Sequence, residues 1–467
     1  MMARFLVLLL SLLLAKPAWA QDSSGGGNGI NIVRDAEIEE TLHMFARPIF
    51  VAAHLNPDDV TIVLIESQDI NAFVAGGMNM FIYTALILAT DTPAQLIGVM
   101  AHETGHIAGG HLARRGEGEE NATIASIFAT AVGLAASVMA RGGGGAGGAL
   151  EGGQAIGEAN ILAFSRTQEA SADQAGISFL ERSGQSPIGL YEFLQKLEGQ
   201  EVLPENRQVE YTRTHPLTQD RVEAVKYAVD QWGKPPEPAP PEIQTRYDRM
   251  KAKLLGYLYP AAALRKFKND QSVTGRYGRA YALYRSNQSA QALELMDGLI
   301  AAEPKNPYFE EFKGQMLFEM GKVADAVPPY KIAVTLAPAS GLIKEEAAHA
   351  MLEAGNPADN DEAIGYLTDA LKTENTDPFI HRLLATAYGR KGMEAEVHLN
   401  LSQEAALEGD TALSRREARL AMGLTPIGTR TWLAAQDILS AGKPIKGDKN
   451  DKGGDDKDTK DQPGNGG

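Results

Sequence analysis

No cysteine occurs in the 467 residues. That excludes disulfides, thiolate metal sites and cysteine nucleophiles, so any metal must be held by histidine and carboxylate. Positive charge is in short supply. Lys and Arg number 44 against 60 Asp and Glu, a net charge of −16, which sets nucleic-acid binding aside. Long apolar runs are scarce as well. FLVLLLSLLLA (5–15) is too short to span a bilayer comfortably. With Arg4 before it and Ala18-Trp19-Ala20 after it, it reads as a cleavable export signal over 1–20, so the mature chain starts at Gln21. ATIASIFATAVGLAASVMA (122–140) carries no charge, but it is built mostly from Ala, Ser, Thr and Gly. Its apolar face predicts a helix packed in the domain or covering a cleft, with peripheral membrane contact as the other reading.

The remaining composition allows two or three domains with cores of their own. Residues 21–30 read as a flexible leader. From 31 to 232 strand-like and helix-like stretches alternate. VTIVLIES (60–67) and FIYTALIL (81–88) read as strands, separated by the turn-rich NAFVAGGMN (71–79). DTPAQLIGVMAHETGHIAGGHLARR (91–115) predicts a helix, with Thr92 as N-cap, Pro93 at its first position and Gln95 closing a capping box. A mobile glycine-rich loop is expected at 141–153, flanking the cleft, and a second helix over roughly 157–183.

GKPPEPAPPE (233–242) is a proline-rich linker. Beyond it, over 243–441, the chain becomes helical and repetitive. AQALELMDGLIAAEP (290–304) aligns with ADAVPPYKIAVTLAP (324–338), which matches Ala292 to Ala326 and Pro304 to Pro338. Looser copies lie at 361–375 and 393–407. A 34-residue helix-turn-helix period of this kind resembles tetratricopeptide (TPR) repeats. The tail, 442–467, has almost no apolar residues and is expected to be disordered. The fold class expected is mainly α: an α+β catalytic domain with a small β-sheet, then an α-helical TPR solenoid.

Three of the nine histidines fall within VMAHETGHIAGGH (99–111). His102 and His106 share one helix face, one turn apart, where two imidazoles can bind a single Zn²⁺. Glu103 lies beside that face. From there it can take the proton of a water that the zinc has acidified, the H-E-x-x-H logic of metallopeptidases. A third protein ligand is still needed. His111 stands one residue short of the metzincin position and faces about 100° away from it, so it is read as a polar residue at the helix end. FSRTQEASADQAG (164–176) offers a better candidate. Glu169 would complete a His₂Glu site, and Asp173, one turn on, would fix the tautomer of a ligating histidine, His102.

HETGH, then SRTQEASAD, then THPLTQDR (214–221), with NAFVAGG ahead of the first, resemble the HtpX- and CAAX-protease-like gluzincins. Together with the export signal and the C-terminal repeats, the chain is similar to the periplasmic BepA-like proteins of that family. The resemblance implies one zinc per chain on His102, His106 and Glu169, with Glu103 catalytic. It also implies a role for His215, which either occupies the metal's open position and holds the enzyme latent or stabilises the oxyanion. Arg221 would position that loop. Periplasmic endopeptidase activity on unfolded or misassembled, outer-membrane proteins follows from the same resemblance. The repeats would dock clients or an outer-membrane assembly machine. The alternative is a chaperone-like TPR scaffold with a latched protease half. MNMFIYTALI (78–87) departs from the family in being more apolar. As a cleft-edge strand it would pair with apolar, unfolded substrate.

Overall fold

The computed structural model describes residues 31–111, 165–200, 203, 207–235 and 237–441. The readings of 1–30, 122–140, 141–153 and the tail lie outside the described residues. Among the described ones, no helix is long and apolar enough to cross a membrane.

Four strands form one sheet: β1 (Asn31–Val33), β2 (Thr61–Glu66), β3 (Ala72–Ala75) and β4 (Asn79–Tyr83), in the order β1-β2-β4-β3. β2 and β4 run parallel, and the two outer pairs are antiparallel. Two expectations are corrected here. The segment 78–87 does not supply an edge strand, because β4 is paired on both sides and the edges are β1 and β3. Nor is FIYTALIL one strand, because the chain turns into helix α2 (Thr84–Ala89) directly after Tyr83. Ala85, Leu86, Leu88 and Ala89 are good helix formers, and the β-branched Thr84 and Ile87 follow them on the helical path. The segment read as turn-rich supplies β3 itself, followed by a turn in which Gly76 and Gly77 take φ of 60° and 91°.

Helix α1 (Ala36–Ala52) starts at the N-cap Asp35, whose carboxylate accepts from the Ile38 amide at 2.9 Å. Its buried Ile38, Leu42, Phe45 and Ile49 pack on Ile62, Leu64, Val74, Met80 and Ile82 of the sheet. α3 (Pro93–Ala108) begins as expected, with Thr92 Oγ1 accepting from the Gln95 amide at 3.3 Å. α4 (Arg166–Arg182) opens on a capping box between Ser165 and Gln168. α5 (Ile188–Leu197), α6 (Glu210–Thr214) and α7 (Gln219–Trp232) complete this part. α8 (Pro241–Leu258) then adds Tyr247, Met250 and Leu254 to the same core, and the Tyr247 hydroxyl donates to Thr90 O at 2.7 Å.

After α9 (Pro260–Lys266) come the paired helices of a TPR-like array. The first helices of the pairs are α10 (Val273–Arg285), α12 (Pro307–Glu319), α14 (Gly341–Ala354), α16 (Pro378–Arg390) and α18 (Thr411–Gly423). Their partners are α11 (Ser289–Ala302), α13 (Val323–Leu336), α15 (Asn360–Ala370), α17 (Glu394–Leu407) and α19 (Arg430–Ala441). α10, α12 and α14 start 34 residues apart, and the matched Ala292 and Ala326 are both fully buried. Small side chains at those positions let the helices of a pair approach closely.

The array is packed against the sheet-bearing part through the start of α1. Ala36 lies in one cluster with Tyr308, Leu317 and Ile343. Lys253 of α8 reaches Asp35 at 2.7 Å and Glu37 at 3.3 Å, and the Tyr277 hydroxyl donates to Glu37 at 2.6 Å. These groups are nearly buried, where an ion pair holds only because its partners stay in place.

Candidate metal centre

α3 and α4 touch main chain to main chain, and that contact builds the site. A Cβ added to Gly105 would lie 2.5 Å from Ala172 O, and one added to Gly176 would lie 3.0 Å from Ala101 O. Only hydrogen at these two places allows the helices to come so close. The closeness brings His102 and His106 of α3 against Glu169 and Asp173 of α4. A glycine inside a helical pattern was the sequence signal for it, and the reading of the motif overlooked both.

His102, His106, Glu169 and His215 each offer one ligand atom, all within 4.8 Å of one another, and all four side chains are fully buried. His102 Nε2 lies 3.1 Å from His106 Nε2 and 3.4 Å from His215 Nδ1. Glu169 Oε1 lies 3.4 Å from His106 Nε2 and 3.2 Å from His215 Nδ1. Donors on a tetrahedral ion with bonds of about 2.0–2.1 Å stand about 3.3–3.4 Å apart, so this set fits a metal such as zinc.

Asp173 Oδ1 accepts from His102 Nδ1 at 2.8 Å, which aims His102 Nε2 at the cluster. Arg221 Nε and one amino nitrogen bind Asp173 at 2.6 and 2.9 Å. Its other amino nitrogen meets Glu169 Oε2 at 2.8 Å and Pro216 O at 2.9 Å, so it ties α4 to the loop carrying His215. His215 donates from Nε2 to Ala72 O at 3.0 Å and stacks on Tyr211, with ring centroids 4.6 Å apart. That turns His215 Nδ1 to the cluster as well. His111 stays outside the set, and its Nδ1 lies 3.0 Å from His106 Nδ1. Neither Tyr211 nor the contact of His111 with His106 was visible in the motifs.

Burial works against charge throughout. For His102 the hydrogen bonds to Asp173 and Glu169 outweigh it and raise the imidazole to about 10. For His106 burial prevails and pushes it down to about 3. Glu169 is held well below the usual carboxylate range despite its burial, by the three histidines around it. Glu103 is different. It is fully buried, neither of its oxygens has a hydrogen-bond partner among the described residues, and burial raises its carboxyl. His215 Nε2 stands 3.5 Å from Glu103 Oε1. A desolvated carboxylate with spare acceptor capacity beside a metal set is suited to taking up a proton.

The model of peptidase family M48 matches residues 33–229. A "Beta-barrel assembly-enhancing protease" of Yersinia pestis is 28% identical over 381 residues, 77% of this chain and 75% of the relative. Its namesake in Escherichia coli K12 is 29% identical over 308 residues, 63% of this chain and 61% of the relative, so the match spans about three fifths of that protein's length. Among solved structures, a thermophilic TPR protein in Thermus thermophilus is 18% identical. That match covers 40% of this chain and 91% of the other, with a TM-score of 0.25.

Proposed function

With residues 33–229 belonging to peptidase family M48, we propose that this metalloendopeptidase is a zinc enzyme that hydrolyses unfolded or misassembled proteins after export to the periplasm. One observation carries the reading: four buried donors converge within 4.8 Å of one another, and beside them stands the carboxylate of Glu103, without a hydrogen-bond partner among the described residues. His102, His106 and Glu169 would hold the metal. When bound, zinc supplies a Lewis acid that polarises a peptide carbonyl and lowers the pKa of water. Glu103 accepts the attacking water's proton on a carboxylate oxygen and passes it to the leaving amine. Asp173 keeps His102 in the tautomer that a ligand needs, and Arg221 anchors Asp173 and Glu169.

The substrate strand would pair with β3, an edge of the sheet. Asn71 O accepts from the Tyr83 amide on the β4 side, so by alternation Ala72 and Val74 turn their backbone groups outward. The export signal read at 1–20 supports the periplasm. The names of the relatives support outer-membrane β-barrel clients and an assembly partner for the repeats. On this reading, dialysis against a chelator abolishes cleavage of an unfolded model protein by the chain from Gln21, and one equivalent of zinc restores it. Cleavage that survives complete zinc removal would overturn the proposal.

A latched state is favoured by the same geometry. His215 Nδ1 points at the cluster, 3.4 Å from His102 Nε2 and 3.2 Å from Glu169 Oε1, in the place of a fourth ligand. His215→Ala is therefore expected to raise the basal cleavage rate severalfold at unchanged zinc content, measured on one sample. A fall in rate at unchanged zinc would instead assign His215 to the oxyanion. The scaffold reading keeps its support from this latch, since a fully buried set does not turn over until something opens it.

A further inference from the structure

The end of α3 folds the chain back over its own last turn. Gly109 is the C-cap, and Gly110 takes φ of 59°, the left-handed conformation in which many helices end. The Gly110 amide donates to Ile107 O at 3.1 Å and the His111 amide to His106 O at 3.2 Å. This pair of bonds is the Schellman closure, which lays the residue after the left-handed one over the residue five places before it. An apolar pair often meets there. In this chain the two residues are His111 and the metal-site residue His106.

The two rings meet edge to face, with centroids 5.0 Å apart and planes at 77°, and Nδ1 lies 3.0 Å from Nδ1. His111 is only 2% exposed. Gly109 leaves its ring room, since a Cβ there would stand 2.6 Å from His111 Nε2. Gln168, in the capping box of α4, donates to His111 O at 3.4 Å and ties the residue down from a second helix. Two ring nitrogens 3.0 Å apart share one hydrogen, so one imidazole donates and the other accepts. A ligating His106 uses Nε2, which faces His102 Nε2 at 3.1 Å and Glu169 Oε1 at 3.4 Å. A neutral imidazole with Nε2 committed to a metal carries its proton on Nδ1. His106 then donates and His111 accepts. Asp173 serves Nδ1 of His102 in the same way. The two histidines of the motif therefore differ in their support, with a carboxylate behind one and an imidazole behind the other.

We infer that His111 is a positioning residue of the metal centre, which accepts the Nδ1 proton of His106 and so holds His106 with Nε2 towards the ion. The inference rests on the zinc reading of the site and adds a residue to it. Its test compares His111→Asn with His111→Leu in the full chain from Gln21. The two side chains have nearly the same branched outline, and both fit the space of an imidazole. Asn can put an oxygen where His111 has Nδ1, and Leu cannot. Zinc is titrated into the metal-free proteins in competition with a fluorescent indicator, and the metal-free proteins are melted.

His111→Leu is expected to lose about 10- to 100-fold in zinc affinity, the range for removing the outer partner of a ligating histidine. His111→Asn is expected to recover most of that loss. A role in packing alone predicts the reverse order, because Leu supplies the apolar contact usual at this kind of helix end and Asn does not. The metal-free Leu variant is accordingly expected to melt no lower than the Asn variant, although it binds zinc more weakly. Parental zinc affinity in His111→Leu overturns the inference and leaves the zinc reading standing, and so does an equal loss in both variants. A Leu variant that melts below the Asn variant would trace its loss to packing and overturn the inference as well. A parent chain that binds no zinc overturns both.

Discussion

Glu103→Gln is expected to lower the rate of peptide hydrolysis about 100- to 10,000-fold, the range that general acid–base groups contribute, while zinc content stays unchanged. The side chain keeps its volume and loses its ability to take a proton. Glu103 is not one of the four converging ligand residues, so metal affinity has no reason to fall. Folding has no reason to fall either, because the carboxylate has no hydrogen-bonded partner to lose among the described residues, and replacing it removes a desolvated acid. Initial cleavage rates of an unfolded protein, with metal measured on the same preparation, decide the matter. A variant that cleaves at the parental rate would remove Glu103 from the chemistry. One that also loses zinc would make it part of the metal's support.

Gly105→Ala is expected to cost about 1–3 kcal/mol of stability through overpacking and to weaken zinc binding along with activity. In an exposed helix the same change would stabilise by about 1 kcal/mol, because alanine is the better helix former. Here the overlap wins. The new Cβ would stand 2.5 Å from Ala172 O and 2.9 Å from its Cα, and backbone atoms cannot swing aside as a side chain does. α4 has to move away, and Glu169 and Asp173 move with it. A shift of about 1 Å in a positioned group can cost about a hundredfold in rate. Zinc competition against a chromophoric chelator and a thermal melt read the two effects. Parental zinc affinity in the variant would show that side-chain rotamers, not the main-chain contact, set the ligand spacing.

Much of this site was legible because its parts are local. His102, Glu103 and His106 sit within five residues, and Thr92 with Pro93 marks where their helix begins. The period of helix and turn was equally plain, since each repeat restates the same small residues. What could not be read depends on partners distant in sequence. FIYTALIL has the composition of a strand, yet its second half is helical, and β4 is interior because β2 and β3 flank it on either side. Nothing local in the segment specifies those neighbours. Nor does any stretch of sequence announce that the start of α1 fills the inner wall of the repeats, because Asp35 and Glu37 find Lys253 and Tyr277 more than two hundred residues away.

The hydrogen bond from His215 to Ala72 O joins two events that would otherwise be independent. The backbone groups of Ala72 point away from β4, so an incoming strand would meet the imidazole at the same carbonyl. On the latch reading, every productive encounter begins with an exchange of partners at that carbonyl, and the polypeptide that displaces His215 also frees the fourth corner of the cluster. The enzyme needs no separate opening signal for a segment able to add a strand. A folded protein, with no unpaired strand to offer, leaves the lock closed. On that reading, discrimination between folded and unfolded proteins would rest on the ability to add a strand at β3.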